Sequence, residues 1–177
     1  VKLMANVINK PKLLIVGHAR FGKDSVAQIL ADGWDFKFQS SSLAAAEIVV
    51  YPELKKIYGY ETLEECFNDR VNHRAEWKEL ITDYNSEDRT KLARQILENN
   101  NVYCGMRCHK ELAACVAQGL FDAIVWVDAS YRKEPEPLSS NTITKQMADY
   151  VIDNNGSIPD LINETFKFMK WFYAQNS

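Results

Sequence analysis

The residues best suited to chemistry stand together at Gly17-His18-Ala19-Arg20-Phe21-Gly22-Lys23-Asp24-Ser25. A phosphate-binding loop reads G-x-x-x-x-G-K and then Ser or Thr, between a strand and a helix. Every position matches except the last, where Asp24 stands. Gly17 and Gly22 permit dihedrals that turn successive N–H groups, those of Arg20 and Phe21 included, toward one anion. The start of the following helix adds a positive dipole end. Lys23 reaches terminal phosphates and neutralises charge in transfer. Asp24 offers a charged oxygen where a hydroxyl ordinarily ligates Mg²⁺, and a hard cation accepts it at least as well. Ser25 falls one residue late, about 100° around the helix, and is a weaker substitute.

A second group of cations interrupts an apolar pattern. Thr62-x-x-Glu65 is a capping box and predicts a helix to about Asp83. Its core stripe runs Leu63, Phe67, Arg70, Arg74, Trp77, Ile81, Tyr84. An unpaired arginine is costly in a core. Either this face opens onto a cleft where Arg70 and Arg74 hold a dianionic phosphate, or the stripe shifts to Val71 and both arginines are solvated beside Asp69 or Glu76. Trp77, Tyr84 and Phe38 either stack on a base or belong to the core. Asp83 and Asn85 read a base only if the helix end faces the cleft. Ser40, Ser41 and Ser42 either contact a ligand's sugar or phosphate or cap a helix, and Ser42 reads as the cap.

These residues need a scaffold of strand ends and helix starts. Lys12–Val16 is a continuous apolar run, which predicts a strand buried on both faces. A helix follows from about Lys23 to Ala31. Phe36 and Phe38 mark a short second strand, and Ser42 to about Val50 reads as a helix. Asn85 or Ser86 caps another, ending near Glu98. Val102–Met106 and Ala123–Val127 predict a third and fourth strand, the third followed by a helix to about Gln118. A loop containing Glu134-Pro135-Glu136-Pro137 reads as exposed. A fifth strand, Tyr150–Ile152, precedes a helix capped by Ser157 and Asp160, with Ile158, Leu161, Ile162, Thr165, Phe166, Met169 and Phe172 at helical spacing. Alternating strands and helices indicate an α/β fold with a mainly parallel sheet. The helical stretch 42–99 between the second and third strands reads as an insertion forming one wall of a cleft.

Composition bounds the ligand. The chain has 177 residues, 21 Lys+Arg, 24 Asp+Glu, a net charge of −3 and 46% hydrophobic residues. A chain of this length buries roughly 70% of its unfolded surface and needs no disulfide or metal staple. Its mild acidity argues against a nucleic acid polymer as partner, while a small phosphorylated ligand needs only local positive charge. The apolar runs are too short to cross a bilayer, and the start VKLMANVINKPK reads as carrying no secretory signal. Cys104-x-x-x-Cys108 lacks a second ligand pair at zinc spacing. Reduced thiols and a cytoplasmic setting are expected.

Three segments resemble one family. Gly17–Ser25 resembles the phosphate loop of bacteriophage-type deoxynucleoside monophosphate kinases, where G-K-D commonly replaces G-K-S/T. Val102-Tyr103-Cys104-Gly105-Met106-Arg107, with Glu111 after it, resembles the third-strand motif of nucleoside monophosphate kinases. Ala148–Gly156 is similar to the fifth strand and following loop of this family and of dephospho-coenzyme A kinases. The resemblance implies a P-loop three-layer α/β sandwich with a five-stranded parallel sheet in order 2-3-1-4-5. It implies one kinase domain with its core at 11–41 and 100–177, a substrate-binding insertion at 42–99 and a short lid at about 130–141. It further implies ATP and Mg²⁺, a deoxynucleoside monophosphate as acceptor and a host-cell cytoplasm if phage-encoded; a homodimer is the commonest prior for any oligomer.

Carried over by position, Lys23, Arg107 and the lid residue Arg132 act on the transferred phosphoryl group. Asn154, Asn155 and Gly156 lie near the adenine. Ser41, Arg70, Arg74, Trp77 and Arg107 are then the expected acceptor-binding residues. Many relatives end the third strand in an aspartate that holds Mg²⁺ through water; here Cys104 stands there, so Asp24 takes over, with Asp128 the other candidate. The lid holds one arginine beside Lys133, without the full set of adenylate kinases. Two alternatives are a dephospho-coenzyme A kinase-like enzyme, with Asp35 as the base its hydroxyl acceptor needs, and a non-catalytic nucleotide-binding module.

Overall fold

The computed structural model describes residues 10–176. The reading of the chain's start as no secretory signal falls mainly on residues 1–9, outside the described residues. Five strands form one parallel sheet: β1 (Leu13–Val16), β2 (Phe38–Ser40), β3 (Val102–Cys104), β4 (Ala123–Asp128) and β5 (Tyr150–Asp153), in spatial order β2-β3-β1-β4-β5. This is the expected order. Leu13 pairs with Val102 on one side and Ala123 on the other, and Asp128 pairs with Asp153 at the far edge. The chain therefore reverses direction of travel across the sheet beside β1, and the crevice at such a switch point is where α/β folds bind ligands.

The period of two along β1 divides the core into two layers. Leu13 and Ile15 face Val26, Ala27 and Leu30 of α1 (Lys23–Trp34) and Leu161, Phe168 and Phe172 of α8 (Ile158–Gln175). Leu14 and Val16 face the opposite side. There they meet α2 (Ser41–Ala45), α6 (Lys91–Asn99) and α7 (His109–Ala117), through Ala44, Ile96 and Leu112 among others. Both faces of β1 are buried, which is why its sequence is apolar without alternation.

Between β2 and β3 the chain is helical, with boundaries that differ from expectation. Helix α2 is capped by Ser40, whose Oγ accepts from Leu43 N at 3.2 Å, not by Ser42. It continues through a π turn, Ala46–Val50, into α3 (Tyr51–Tyr58). The helix expected from Thr62 to Asp83 is two helices. Thr62 and Glu65 form the capping box of α4 (Leu63–Asn68), but a 3₁₀ turn, Asp69–Asn72, and the non-helical His73 separate it from α5 (Arg74–Tyr84). Asn72 donates to Asp69 at 2.6 Å and the His73 ring meets Asp69 at 3.0 Å, local bonds that compete with the helical ladder. Helix α6 starts at Lys91, later than expected, because Asp88 binds both Thr90 N and Thr90 Oγ1 in a preceding turn. In α8 the Ser157–Asp160 box is present, yet the buried stripe includes Phe168, while Phe166 is 55% exposed and packs on the Trp34 ring.

Among the described residues, no helix is long and apolar enough to cross a membrane. Cys66, Cys104, Cys108 and Cys115 are free thiols.

Candidate phosphate-binding site

The loop from β1 to α1 has the geometry its glycines imply. Gly22 adopts φ 99°, and a Cβ there would collide with Asn154 Nδ2. A Cβ on Gly17 would stand 2.8 Å from the carbonyl oxygen of Val127. Arg20 also takes a positive φ, 63°, with its side chain exposed. Phe21 is buried, so it serves the loop through its backbone; its ring supports His18, which also meets Trp126 edge-on. Lys23 folds back over the loop and donates to the carbonyls of Gly17 at 2.9 Å and His18 at 2.8 Å. Burial lowers its pKa from the ordinary lysine value. Ser25 is exposed on the first turn of α1.

The end of β3 closes one side. Cys104 Sγ donates to Asp24 Oδ1 at 3.3 Å. The thiol is 2% exposed, and burial with the Asp24 charge pushes its pKa far up, so it stays a donor. Cys104 thus orients the Asp24 carboxylate through this bond. A Cβ on Gly105 would stand 2.8 Å from Ser41 Oγ and 4.0 Å from Lys23 Cε, so glycine leaves room for both. Asp128 ends β4 half-buried, its Oδ1 accepting from Ser130 N at 3.1 Å.

The segment after β4 lies over the loop as a strap. Arg107 donates through Nη1 to Glu136 Oε2 at 2.7 Å, and Ala19 N donates to Glu136 Oε1 at 2.6 Å. Glu136 N donates to His18 Nδ1 at 3.1 Å. Burial lowers the His18 pKa from 6.5, with Glu136 opposing, which favours this acceptor role. Asn141 is 1% exposed and donates to Gly17 O, while Thr142 N donates to Arg107 O at 2.9 Å. The Glu134–Pro137 stretch is therefore not simply an exposed loop, since the Glu136 side chain is only 12% exposed. Arg132 donates from Nε to Asn154 O at 2.8 Å, leaving both Nη atoms without partners among the described residues. The Asn154 side chain is bound in turn to Phe21 O at 2.9 Å, so the loop after β5 is tied to the phosphate loop. Asn155 accepts from Tyr131 N, and Gly156 packs on Asp160.

The insertion gathers its cations less tightly than the stripe implied, because the break at Asp69–His73 puts Arg70 and Arg74 on different elements. Arg70 lies 4.0 Å from the Phe67 ring centroid and donates to Phe67 O at 2.8 Å. Arg74 is exposed and has no hydrogen-bond or ion-pair partner among the described residues. Asp69 and Glu76 are not their partners. Both carboxylates are held by His73, with Tyr60 on Asp69 at 2.5 Å and Tyr58 on Glu76 at 2.7 Å. Trp77 is buried in the core beneath the insertion and is not available to stack on a base. Tyr84 is half-buried and packs on the same core.

No protein-family model matches the sequence, and no curated protein matches it. Among solved structures, the dephospho-CoA kinase from Campylobacter jejuni aligns with a TM-score of 0.51 at 15% identity, covering 92% of this chain and 97% of that one. The chain shares the fold of that kinase. TT1252 from Thermus thermophilus, at TM-score 0.48 and 16% identity, covers 91% of this chain and 97% of its own. A gluconokinase from Sinorhizobium meliloti, at 0.45 and 11%, covers 95% and 98%.

The structure brings the expected loop, Arg107 and Asn154 together, and with them Glu136, His18 and Asn141, which the sequence did not single out. The one local signal for Glu136 was its position between Pro135 and Pro137, which stiffens the backbone carrying it.

Proposed function

We propose that this protein is an ATP-dependent kinase that transfers the γ-phosphoryl group to a deoxynucleoside monophosphate, giving the diphosphate and ADP. The observation that carries the reading is Arg107 facing the phosphate loop. Its guanidinium and the Ala19 N–H bind one carboxylate at 2.7 and 2.6 Å, so anion-binding groups from β1 and β3 converge on one place.

The nucleotide's phosphates would take the loop N–H groups, the start of α1 and Lys23, with Asn154–Gly156 toward the base. Lys23 would exchange its two carbonyl partners for phosphate oxygens. Asp24 and Asp128 fit Mg²⁺ as oxygen donors, and a cation that keeps several waters needs no more than one or two carboxylates. When bound, Mg²⁺ supplies neutralisation of charge on the β- and γ-phosphates. A monophosphate acceptor is already anionic, so catalysis is positioning plus charge neutralisation. Lys23, Arg107 and the free Nη atoms of Arg132 serve the transferred group. Arg70, Arg74 and Ser41 serve the acceptor. The strap over the loop excludes water from the reacting phosphate.

A second reading has a hydroxyl acceptor, as in the dephospho-CoA kinase whose fold is similar. Fold likeness fits both readings equally. A hydroxyl acceptor needs a general base. Asp35, the acid nearest β2 in sequence, precedes that strand, while the phosphate loop follows β1 in the same parallel sheet. Asp35 therefore lies at the sheet edge opposite the loop, its carbonyl taking Lys10 Nζ. After β2, on the loop's edge, stand Ser41 and Ser42, and Glu47 is occupied by Gln39 at 3.0 Å. This favours the monophosphate. ADP production measured with each deoxynucleoside monophosphate and with dephospho-CoA separates the two. Retained ATP binding without ADP from any acceptor overturns both and leaves a nucleotide-binding module.

A further inference from the structure

We propose that Glu136 is an internal stand-in for a nucleotide phosphate, bridging the phosphate loop and Arg107 so that nucleotide must displace it to bind. The inference rests on the phosphate-loop reading above and adds a residue to it.

The carboxylate makes the contacts of a bound oxyanion. Oε1 accepts a backbone N–H of the loop, from Ala19, at 2.6 Å. Oε2 accepts Arg107 Nη1 at 2.7 Å. Charge-assisted bonds of this length are the strong class, and arginine takes carboxylate and phosphate oxygens in the same way. Lys23 feels the same charge, since Glu136 raises its pKa against the lowering by burial. The loop's Ala19 N–H and the Arg107 guanidinium thus clasp one carboxylate supplied by the strap. Glu136 is held there by its own N–H on His18 Nδ1 at 3.1 Å, and beyond it Asn141 and Thr142 fasten the strap to Gly17 and Arg107.

Two consequences follow. A phosphate cannot take the Ala19 N–H and Arg107 while Glu136 holds them, so entry of nucleotide displaces the Glu136 carboxylate, while Asn141 and Thr142 keep the strap over the loop. The same event frees Arg107, which couples arrival of the phosphoryl donor to exposure of a cation needed for transfer. Without nucleotide the loop is self-occluded.

The test compares Glu136→Gln and Glu136→Ala with the wild type for binding of ATP and of inorganic tripolyphosphate. Glu134→Gln is the control, because Glu134 is exposed, removes the same charge and has no hydrogen bond among the described residues. An exposed-to-intermediate ion pair lost from the free state should tighten ATP binding by about two- to fivefold. The gain should appear in the association rate, with dissociation unchanged, and for tripolyphosphate as well as ATP. Glu134→Gln should bind as wild type. Unchanged or weaker binding in folded Glu136→Gln overturns the inference while leaving the kinase reading intact. So does equal tightening by Glu134→Gln, which would mark a general charge effect. Failure of the wild type and every variant to bind either ligand overturns the phosphate-loop reading, and the inference with it.

Discussion

The Cys104 thiol donates to Asp24 Oδ1 at 3.3 Å, joining the end of β3 to the first turn of α1 across the sheet's switch point. The thiol is buried and its pKa is raised by that burial first and by Asp24 second, so it stays protonated and holds one carboxylate oxygen in place. Residues that orient a metal ligand matter nearly as much as the ligand itself. Cys104→Ala should raise the Mg²⁺ concentration needed for half-maximal activity by about tenfold. Binding of metal-free ATP should be unchanged. Cys104→Ser keeps a donor and should restore most of the loss. Equal Mg²⁺ titrations for wild type and Cys104→Ala would remove Asp24 from the metal site.

In the proposed reaction Lys23 and Arg132 start from different places. Lys23 is bonded to two carbonyls of its own loop, while Arg132 is clipped by Nε to Asn154 O. Lys23→Ala should lower kcat by about 10²–10³, the cost of one preorganised charge-stabilising donor. Arg132→Ala should lower it by about 10³–10⁵ if its free Nη atoms act on the transferred group as an arginine finger does. Single-turnover rates at saturating nucleotide measure both. A near-wild-type rate for Arg132→Ala assigns that side chain to fastening the loop after β5.

The bond from Asn154 Nδ2 to Phe21 O, at 2.9 Å, is buried and ties β5 to the phosphate loop. Asn154→Ala leaves the Phe21 carbonyl without its partner and should cost about 1–3 kcal/mol in urea unfolding. Gly22→Ala meets the same amide with its new Cβ and must also hold a positive φ. It should cost about 1–3 kcal/mol from backbone strain alone. The pair should be non-additive, because both changes act on one contact. Additive losses would show that the two residues are energetically independent.

Legibility in the sequence followed the range of the forces involved. The strands of β1 and β4 were readable because burial on both faces leaves a continuous apolar run, and the loop because its turn demands glycine at fixed places. The break at Asp69–His73 was not readable from the apolar stripe. It arises from side-chain bonds among Asp69, Asn72 and His73, which periodicity does not register. Trp77 lay on the stripe and is core, which the pattern allowed without deciding. Glu136 meets Ala19 and Arg107 across 117 and 29 residues of sequence. No local rule ties a carboxylate in a proline-flanked loop to a glycine turn so far away.

The proposed acceptor-binding role of the insertion makes a separable kinetic prediction. Arg74 has no partner among the described residues, and Arg70 rests on Phe67, while the acids that would neutralise them are held by His73 and two tyrosines. Arg70→Ala and Arg74→Ala should each raise KM for the monophosphate by about tenfold, in line with loss of a charged hydrogen bond of about 1.5–3 kcal/mol. KM for ATP should stay put. Parallel rises in both constants would place the arginines outside the acceptor site.

His73 makes the stability of the insertion depend on pH with a definite sign. Its Nδ1 meets Glu76 at 2.9 Å and its Nε2 meets Asp69 at 3.0 Å. The bond to Glu76, then that to Asp69, raises its pKa above 6.5 against partial burial. A raised folded pKa gives stability fully present below the ordinary value and lost as pH rises through the folded one. The carboxylates run the other way. Tyr60 first, then Asn72 and His73, lower the Asp69 pKa from 3.8. Tyr58 first, then His73, lower that of Glu76 from 4.5. Their contributions are present above those values and lost as pH falls through the depressed ones. All three charges are therefore in place between pH 4.5 and 6.5. His18 has the opposite shift, so its contribution grows as pH rises, and the wild type must be compared with His73→Gln. The stability difference between them should be largest near pH 6 and shrink toward pH 9. The 3₁₀ turn carrying Arg70 is held by this network, so KM for the monophosphate should rise over the same alkaline range in the wild type. A pH-independent difference would show that His73 holds Asp69 and Glu76 as a neutral ring.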